Sequence, residues 1–548
     1  MLQYNPVVGD VCGNTVRMIK AIRSMDADVI VTPELSICGY PPRDLLCCDG
    51  FVQGCEEAVE QIAEACKDIT VLVGHPRIDA TSGRIRNSVS VLQEGEIVAI
   101  ADKQLIASYD VFDEKRYFES GDTICTFALH GTTVGIAICE DFWCGLDASA
   151  APSYDYNPIR QLLDAHCNVI VSPSASPFVT GKHETHLAYA LDLAREHNVT
   201  IAVCNQVGGN DDLVFDGGSF VVSQGGVLGA LPLFEKGTIV IDSKQQPIDI
   251  SIGTCEDEER FNALVLGTKD YVCKTGHNQA LLGISGGIDS AVVATLAVAA
   301  LGKDAVTGIL MPSRYSSLGS VEDAEQLAAN LGIACETLPI EHMHAAFERT
   351  ITDSCLEATG LTQENVQARI RGLLLMARAN QEGALLLATG NKSELAVGYS
   401  TLYGDMSGAV AVIGDIYKTD VWAMAKWINN NYKSCGFNMP PIPESSIAKP
   451  PSAELRPDQL DQDSLPQYDA LDAILRLHVD LDMGVDAIEE ELDAPREFIS
   501  KIIQMVDIAQ FKRDQAAVIF KTSPRSFGRG RRMPIVMKRN WVTTRETT

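Results

Sequence analysis

The sequence predicts an α/β protein of two domains, the second built on a doubly wound parallel sheet with a helical cap. Three observations carry that expectation. A chain of 548 residues is longer than one hydrophobic core ordinarily organises. Short β-rich apolar runs alternate along it with amphipathic stretches, the pattern of helices covering sheets. Finally, Gly283-Ile284-Ser285-Gly286-Gly287-Ile288-Asp289-Ser290 stands between the apolar run 280–282 and the Ala-rich segment 291–301. That reads as strand, tight glycine turn and helix.

Composition narrows the function classes. Hydrophobic residues make up 46% of the chain and charged ones 21%, enough for real cores and too apolar for long disorder. A net charge of -29 argues against binding nucleic acid or anionic membranes through general electrostatics. Any anionic ligand must therefore meet local Arg, Lys and backbone N–H groups. The one cationic cluster, Arg525 to Arg532 with Lys538 and Arg539, is short and sits in an acidic chain, so no nucleic-acid partner is expected. Sixteen cysteines without Cys-x-x-Cys or zinc spacing read as reduced, mostly buried small hydrophobes. With no charge-free stretch of about 18 apolar residues and no leader pattern, the expected setting is cytoplasmic and free of membrane.

In residues 1–250 the candidate strands are 29–32, 71–74, 88–93, 97–102, 133–138, 169–172, 201–205 and 219–223. Helices fit 13–25, 50–67, 157–166 and 183–197, the last two with apolar residues at three- and four-residue spacing. Three strand ends carry reactive groups: Glu34 after 29–32, Lys103 after 97–102 and Cys139 after 133–138. Singly, each reads as a solvated strand terminus or a packed thiol. Together they form a chemical set: a thiol nucleophile, a carboxylate that can accept its proton and an ammonium that can stabilise an oxyanion.

The surrounding segments are specific. Pro33-Glu34-Leu35, Asp102-Lys103 with Tyr109 to Phe118, and Cys139-Glu140-Asp141-Phe142-Trp143 resemble the signature segments of the nitrilase superfamily. That resemblance implies an α-β-β-α sandwich and a Glu-Lys-Cys triad that cleaves carbon–nitrogen bonds, with Glu34, Lys103 and Cys139 as its members. Ser172 to Phe178 with Lys182 resembles the loop completing a glutamine pocket in amidotransferase members, which implies Tyr109, Ser176 and Lys182 as glutamine contacts. His183 and His186, at three-residue spacing, lack a partner pair and read as solvent-exposed or capping residues instead of a metal half-site. Relatives usually open on a longer first strand; Met1 to Pro6 supplies only a strand's end, so a shortened edge or a late start is expected.

The acidic stretch 251–262 reads as a linker, dividing a first domain, 1–250, from a second, 263–548. Beyond the glycine turn come strand 305–311, helix 320–331, strand 335–339, helix 362–381 and strand 385–388, then a helical region from 465 to 508. A parallel doubly wound sheet places its ligand at the carboxyl ends of its strands. The glycine turn opens a helix there, and close backbone approach with a helix N-terminus makes a phosphate cradle. It lacks the Gly-Lys-Ser/Thr of a Walker loop and the Gly-x-Gly-x-x-Gly of a dinucleotide turn.

Ser285-Gly286-Gly287-Ile288-Asp289-Ser290 resembles the pyrophosphate loop of enzymes that adenylate a substrate. Asn365 to Arg371, Thr389 to Glu394, Tyr399 to Asp405 and Lys449 to Leu455 narrow the resemblance to NAD synthetases of the adenine-nucleotide alpha-hydrolase type. With the first half, the whole chain resembles the glutamine-dependent NAD synthetase family. The resemblance implies ATP contacts at Gly283, Ile284, Ser285, Gly286, Gly287, Ile288, Asp289, Ser290 and Thr389. It implies deamido-NAD contacts at Asn365, Glu394 and Lys512, and Mg2+ held by Asp289 and Glu394. It also implies a homo-oligomer whose substrates are deamido-NAD, ATP and L-glutamine. Rival readings are another glutamine-fed ligase, an ammonia-only synthetase with an inert first domain, and a stand-alone hydrolase.

Overall fold

Strands Val29–Val31, Thr70–Ile78, Ile85–Gln93 and Glu96–Asp102 form one sheet in that order, the first pair parallel and the rest antiparallel. A second sheet runs Gly226–Ala230, Phe220–Ser223, Thr200–Asn205, Val169–Ser174, Thr132–Ile136 and Cys125–Leu129, with parallel pairing only among Thr132–Ile136, Val169–Ser174 and Thr200–Asn205. Side chains alternate across a strand. Val31, Leu72, Val89 and Val91 accordingly share a core with Val134, Ile136 and Val171 of the other sheet. Their neighbours Ile30, Val71 and Val73 pack instead with Met18 and Ile22 of helix Val11–Ile22 and Val59 and Ile62 of helix Phe51–Ala65. Leu187, Ala190 and Ala194 of helix Lys182–His197 cover the far side of the second sheet. The result is the expected α-β-β-α sandwich.

This is a computed structural model that describes residues 1–144, 146, 154–249, 255–354 and 359–538 in two compact units, Met1–Gly276 and His277–Thr548. Of the stretch read as a linker, residues 251–254 lie outside those described, as does Arg539 of the basic cluster. From Glu256 the chain is already helical: Glu256–Lys274 packs on the hairpin Val207–Asn210 and Leu213–Asp216 within the first unit. Four acidic residues in its first turn suit the positive end of a helix, so an acidic stretch without apolar periodicity conceals a helix start. Strand Leu2–Gln3 is short, pairing antiparallel with Gly237–Thr238.

Among the described residues the second unit holds a sheet of six parallel strands: Ala280–Ile284, Val306–Leu310, Ala334–Thr337, Leu385–Ala388, Val410–Ala411 and Val518–Ile519. Numbered in chain order within the sheet, they lie 3-2-1-4-5-6. The order reverses between the first and fourth, which is where such sheets bind ligands. Helices Tyr468–Leu475, Val485–Leu492 and Arg496–Ile508 form the cap around Leu471, Ile474, Ile499, Ile502 and Val506.

Two expectations need correction. Among the described residues the cysteines are free thiols, but they are not mostly buried: Cys12, Cys47, Cys48, Cys255, Cys273 and Cys335 are exposed, because they fall on solvent faces and ends of elements. His183 and His186 are half-buried, not solvent-exposed, each packed on an aromatic ring. Among the described residues no helix is long and apolar enough to cross a membrane.

Candidate active sites

In the first unit the ends of strands from both sheets converge on one dry cluster. Lys103 is 1% exposed and Glu34 is fully buried, so neither charge is sustainable alone. The Lys103 ammonium donates to Glu34 Oε1 at 2.8 Å and to Glu114 Oε1 at 2.9 Å. Asn87 Nδ2 donates to Glu34 Oε1 at 2.7 Å, and the Ala175 N–H to Oε2 at 3.1 Å. Tyr40 Oη holds Glu114 at 2.8 Å. Burial works against the lysine's charge, but Glu114 and Glu34 raise it well above the usual amine range. Glu114 itself is pushed up by burial, with Lys103 opposing.

Cys139 completes the set. Its backbone sits at φ 46° and ψ -101°, a sharp turn from strand Thr132–Ile136 into helix Glu140–Trp143. A non-glycine residue held there stores backbone strain. The Cys139 N–H donates to Pro173 O at 3.0 Å, which pins the turn to the neighbouring strand. Burial and then Glu34 push the thiol well up, while Lys103 and the Ala175 N–H pull the other way. Burial thus favours the protonated thiol before substrate arrives.

The expected glutamine contacts fall into two places. Lys182 Nζ donates to Ser176 Oγ at 2.8 Å and to Pro177 O. Both side chains line a small cavity of about 10 Å³ with Trp143, His183, His186, Asn205 and Asp216. Tyr109 instead donates to Glu140 Oε2 at 2.9 Å, beside the nucleophile, and Tyr154 donates to Oε1 at 2.7 Å. His186 stacks on Trp143 at 3.8 Å between ring centres. Sequence reasoning missed Asn87 and Glu114 as partners of the triad. Glu114 lay inside a signature segment; Asn87 gave no signal.

The second unit's site is open. A cavity of about 320 Å³ is lined by Gly283, Ile284, Ser285, Gly287, Ile288, Asp289, Ser290 and Thr389, eight of the nine expected ATP contacts. The ninth, Gly286, supports the loop: it has φ 77°, and a Cβ there would lie 2.2 Å from Ser320 O, so only glycine fits. Its carbonyl accepts from Ser446 Oγ at 3.0 Å. Ser290 Oγ accepts from the Ser285 N–H at 3.2 Å and donates to Gly287 O at 3.0 Å, which fixes the turn.

Asp289 and Glu394 face the same cavity, joined by the Lys418 ammonium, which pairs with Asp289 and lies 3.5 Å from Glu394 Oε1. Burial raises Glu394 to about 8, with Lys418 opposing and Asp289 adding to the rise. Asn391 bridges the two acids: its Nδ2 donates to Asp289 at 3.0 Å and its Oδ1 accepts the Glu394 N–H at 3.0 Å. Among the described residues no three His, Cys, Asp or Glu side chains are grouped to hold a metal. Two carboxylates suit Mg2+ nevertheless, since that ion takes one or two carboxylates together with phosphate oxygens and keeps several waters. Of the other expected dinucleotide contacts, Asn365 accepts from Thr401 Oγ1 at 2.8 Å. Lys512 donates to the carbonyls of Gly398 and Ser400 at 2.7 and 2.6 Å. Both therefore brace the 398–405 loop that borders the cavity.

Comparison with known proteins covers both halves of the chain. The family model for carbon-nitrogen hydrolase matches residues 1–248 and that for NAD synthase residues 260–516. The glutamine-dependent NAD(+) synthetase of Synechocystis is 43% identical over 98% of both chains. That of Thermotoga maritima is 38% identical over 98% of this chain and 97% of its own. The solved glutamine-dependent NAD+ synthetase of Acinetobacter baumannii, in complex with ADP, is 35% identical with a TM-score of 0.77, covering 98% of this chain and 97% of that one. With a carbon-nitrogen hydrolase half followed by an NAD synthase half, and with full-length relatives at 43% and 38% identity, the chain belongs to the glutamine-dependent NAD(+) synthetase family.

Proposed function

We propose that the chain amidates deamido-NAD to NAD with ATP and ammonia taken from L-glutamine, Cys139 serving the first half of the reaction and the 283–290 loop the second. The observation that carries this reading is the coexistence, in one family member, of a paired and buried Lys103–Glu34 beside Cys139 and an open glycine-turn cavity with two carboxylates. In the first unit Cys139 Sγ attacks the glutamine amide carbon as its proton passes to Glu34. Lys103 stabilises the oxyanion that develops, a donor already in place and needing no rearrangement. The carbon–nitrogen bond breaks, Glu34 returns the proton to the leaving ammonia, and water then cleaves the thioester to glutamate.

In the second unit a carboxylate oxygen of the nicotinate ring attacks the α-phosphorus of ATP and diphosphate leaves, since a free carboxylate is a poor electrophile. Ammonia then adds to the acyl carbon and AMP departs. Backbone N–H groups of the 285–290 turn receive the phosphates, and Thr389 lies along the nucleotide. Asp289 and Glu394 are the residues that would hold Mg2+, which when bound offsets phosphate charge. Ser176 and Lys182 hold the amino-acid end of glutamine, with Tyr109 nearer the thiol. Glu394, Asn365 and Lys512 serve the dinucleotide, the last two by shaping the loop it meets.

The experiment is NAD formation from deamido-NAD, ATP and magnesium with amide-labelled glutamine as the only nitrogen source. Labelled NAD, AMP and diphosphate in equal amounts are expected. A folded protein that makes no NAD from glutamine or from ammonium would refute the reading.

A further inference from the structure

The chemistry above gives Asp141 no part, although it lies two residues beyond the nucleophile and is only 3% exposed. Its carboxylate accepts three backbone N–H groups. Gln104 donates to its two oxygens at 3.1 and 3.2 Å, Leu105 to Oδ1 at 2.7 Å, and Ile138 to Oδ2 at 3.3 Å. Gln104 and Leu105 directly follow Lys103; Ile138 directly precedes Cys139.

Those segments belong to different sheets. Lys103 leaves the edge strand Glu96–Asp102 of the four-stranded sheet, and Cys139 follows Thr132–Ile136 in the six-stranded one. Among the described residues no strand pairing joins them, so the relative placement of ammonium and sulfur comes from side-chain and loop contacts. One carboxylate holding both segments supplies it. The neighbouring acid, Glu140, differs: it is taken by the hydroxyls of Tyr109 and Tyr154. Keeping Asp141 buried has a cost. Burial pushes its carboxyl up to about 7, with the N–H groups of Leu105, Gln104 and Ile138 and the charge of Lys103 opposing. Acids buried at such a cost cluster at functional sites, and this one holds the backbone on either side of the reactive centre.

We propose that Asp141 is a positioning residue of the glutamine-cleaving site, fixing the Lys103 ammonium relative to the Cys139 sulfur by clasping the backbone after one and before the other. Its carboxylate bonds to backbone N–H groups and not to the Cys139 sulfur. The proposal rests on the reading of Lys103 and Cys139 as amide-cleaving groups, and its test separates the two.

Asp141→Asn keeps the shape but replaces one acceptor oxygen with an NH2, which cannot accept a backbone N–H. The expected result is a fall in kcat for glutamine hydrolysis of about 10- to 100-fold, the scale of a small misplacement of catalytic groups. The KM for glutamine should move by less than about 3-fold, because no contact with substrate is lost. NAD synthesis from ammonium should stay within about 2-fold, since the second site is untouched. Alkylation of Cys139 by iodoacetamide gives a readout independent of turnover. It should change in Asp141→Asn but hardly change further when Asp141→Asn is added to Lys103→Met, because the aspartate acts through the lysine. An unaltered kcat, equal losses with glutamine and ammonium, or full additivity with Lys103→Met would overturn the proposal. Unmutated protein that leaves glutamine intact would overturn the reading beneath it as well.

Discussion

Around Lys103 the chain buries an ammonium and two carboxylates, each satisfied by the others before any substrate arrives. Around Asp289 it leaves a cavity of about 320 Å³ walled by a glycine turn and by acids that share one lysine. On the proposed function the difference follows the ligands. A small neutral amide brings little binding energy, so its reacting groups must be preorganised and dry. A triphosphate and a dinucleotide are large and anionic, so their site needs room and backbone donors.

This contrast can be broken in graded steps. Lys103→Met removes the oxyanion partner and strands two buried carboxylates, so glutamine-dependent synthesis should fall by about 10³- to 10⁴-fold. Ammonium-dependent synthesis should survive; its loss in a folded variant would mean that the two sites do not act separately. Asp289→Asn should lower synthesis from both nitrogen sources alike, by about 10²- to 10³-fold, read in paired steady-state assays. A selective loss with glutamine alone would contradict the assignment of the second site.

Lys182→Ala bears on recognition. It should raise the KM for glutamine by about 10- to 100-fold and leave kcat nearly unchanged, as expected when uniform binding is removed. An unmoved KM would place the amino-acid end of glutamine elsewhere. A last effect concerns stability of the dry unit, not catalysis. His75 is held neutral by burial, its pKa lowered to about 4, with Nε2 at 2.8 Å from Ser90 Oγ. A depressed histidine contributes stability fully above its unfolded value near 6.5, and that contribution is lost as pH falls through about 4. Urea unfolding of the first unit should therefore weaken by about 3 kcal/mol across that window, and His75→Gln should flatten the slope.

Much of this contrast was legible in the sequence, for a physical reason. Glu34, Lys103 and Cys139 each stand at the end of a β-rich run, where topology gathers chain ends, and the glycine turn announces itself between strand and helix. What escaped was support that has no local pattern. Asn87 lies within a strand and reaches Glu34 only because the strands pair; Asn391 caps helix Lys392–Val397 and at the same time holds Asp289, far away in sequence. Strands Val410–Ala411 and Val518–Ile519 are two residues each, too short for any periodicity to show. The start of helix Glu256–Lys274 was hidden by its own acidic first turn, which satisfies a helix terminus but resembles a linker.

The most direct measurement compares wild type with Cys139→Ala, supplying glutamine in one assay and ammonium in the other with deamido-NAD, ATP and magnesium in both. The account predicts that the variant makes no NAD from glutamine and makes it from ammonium at nearly the wild-type rate. Retained synthesis from glutamine, or loss from both sources in a folded variant, would contradict a division of labour between the buried thiol and the open nucleotide cavity.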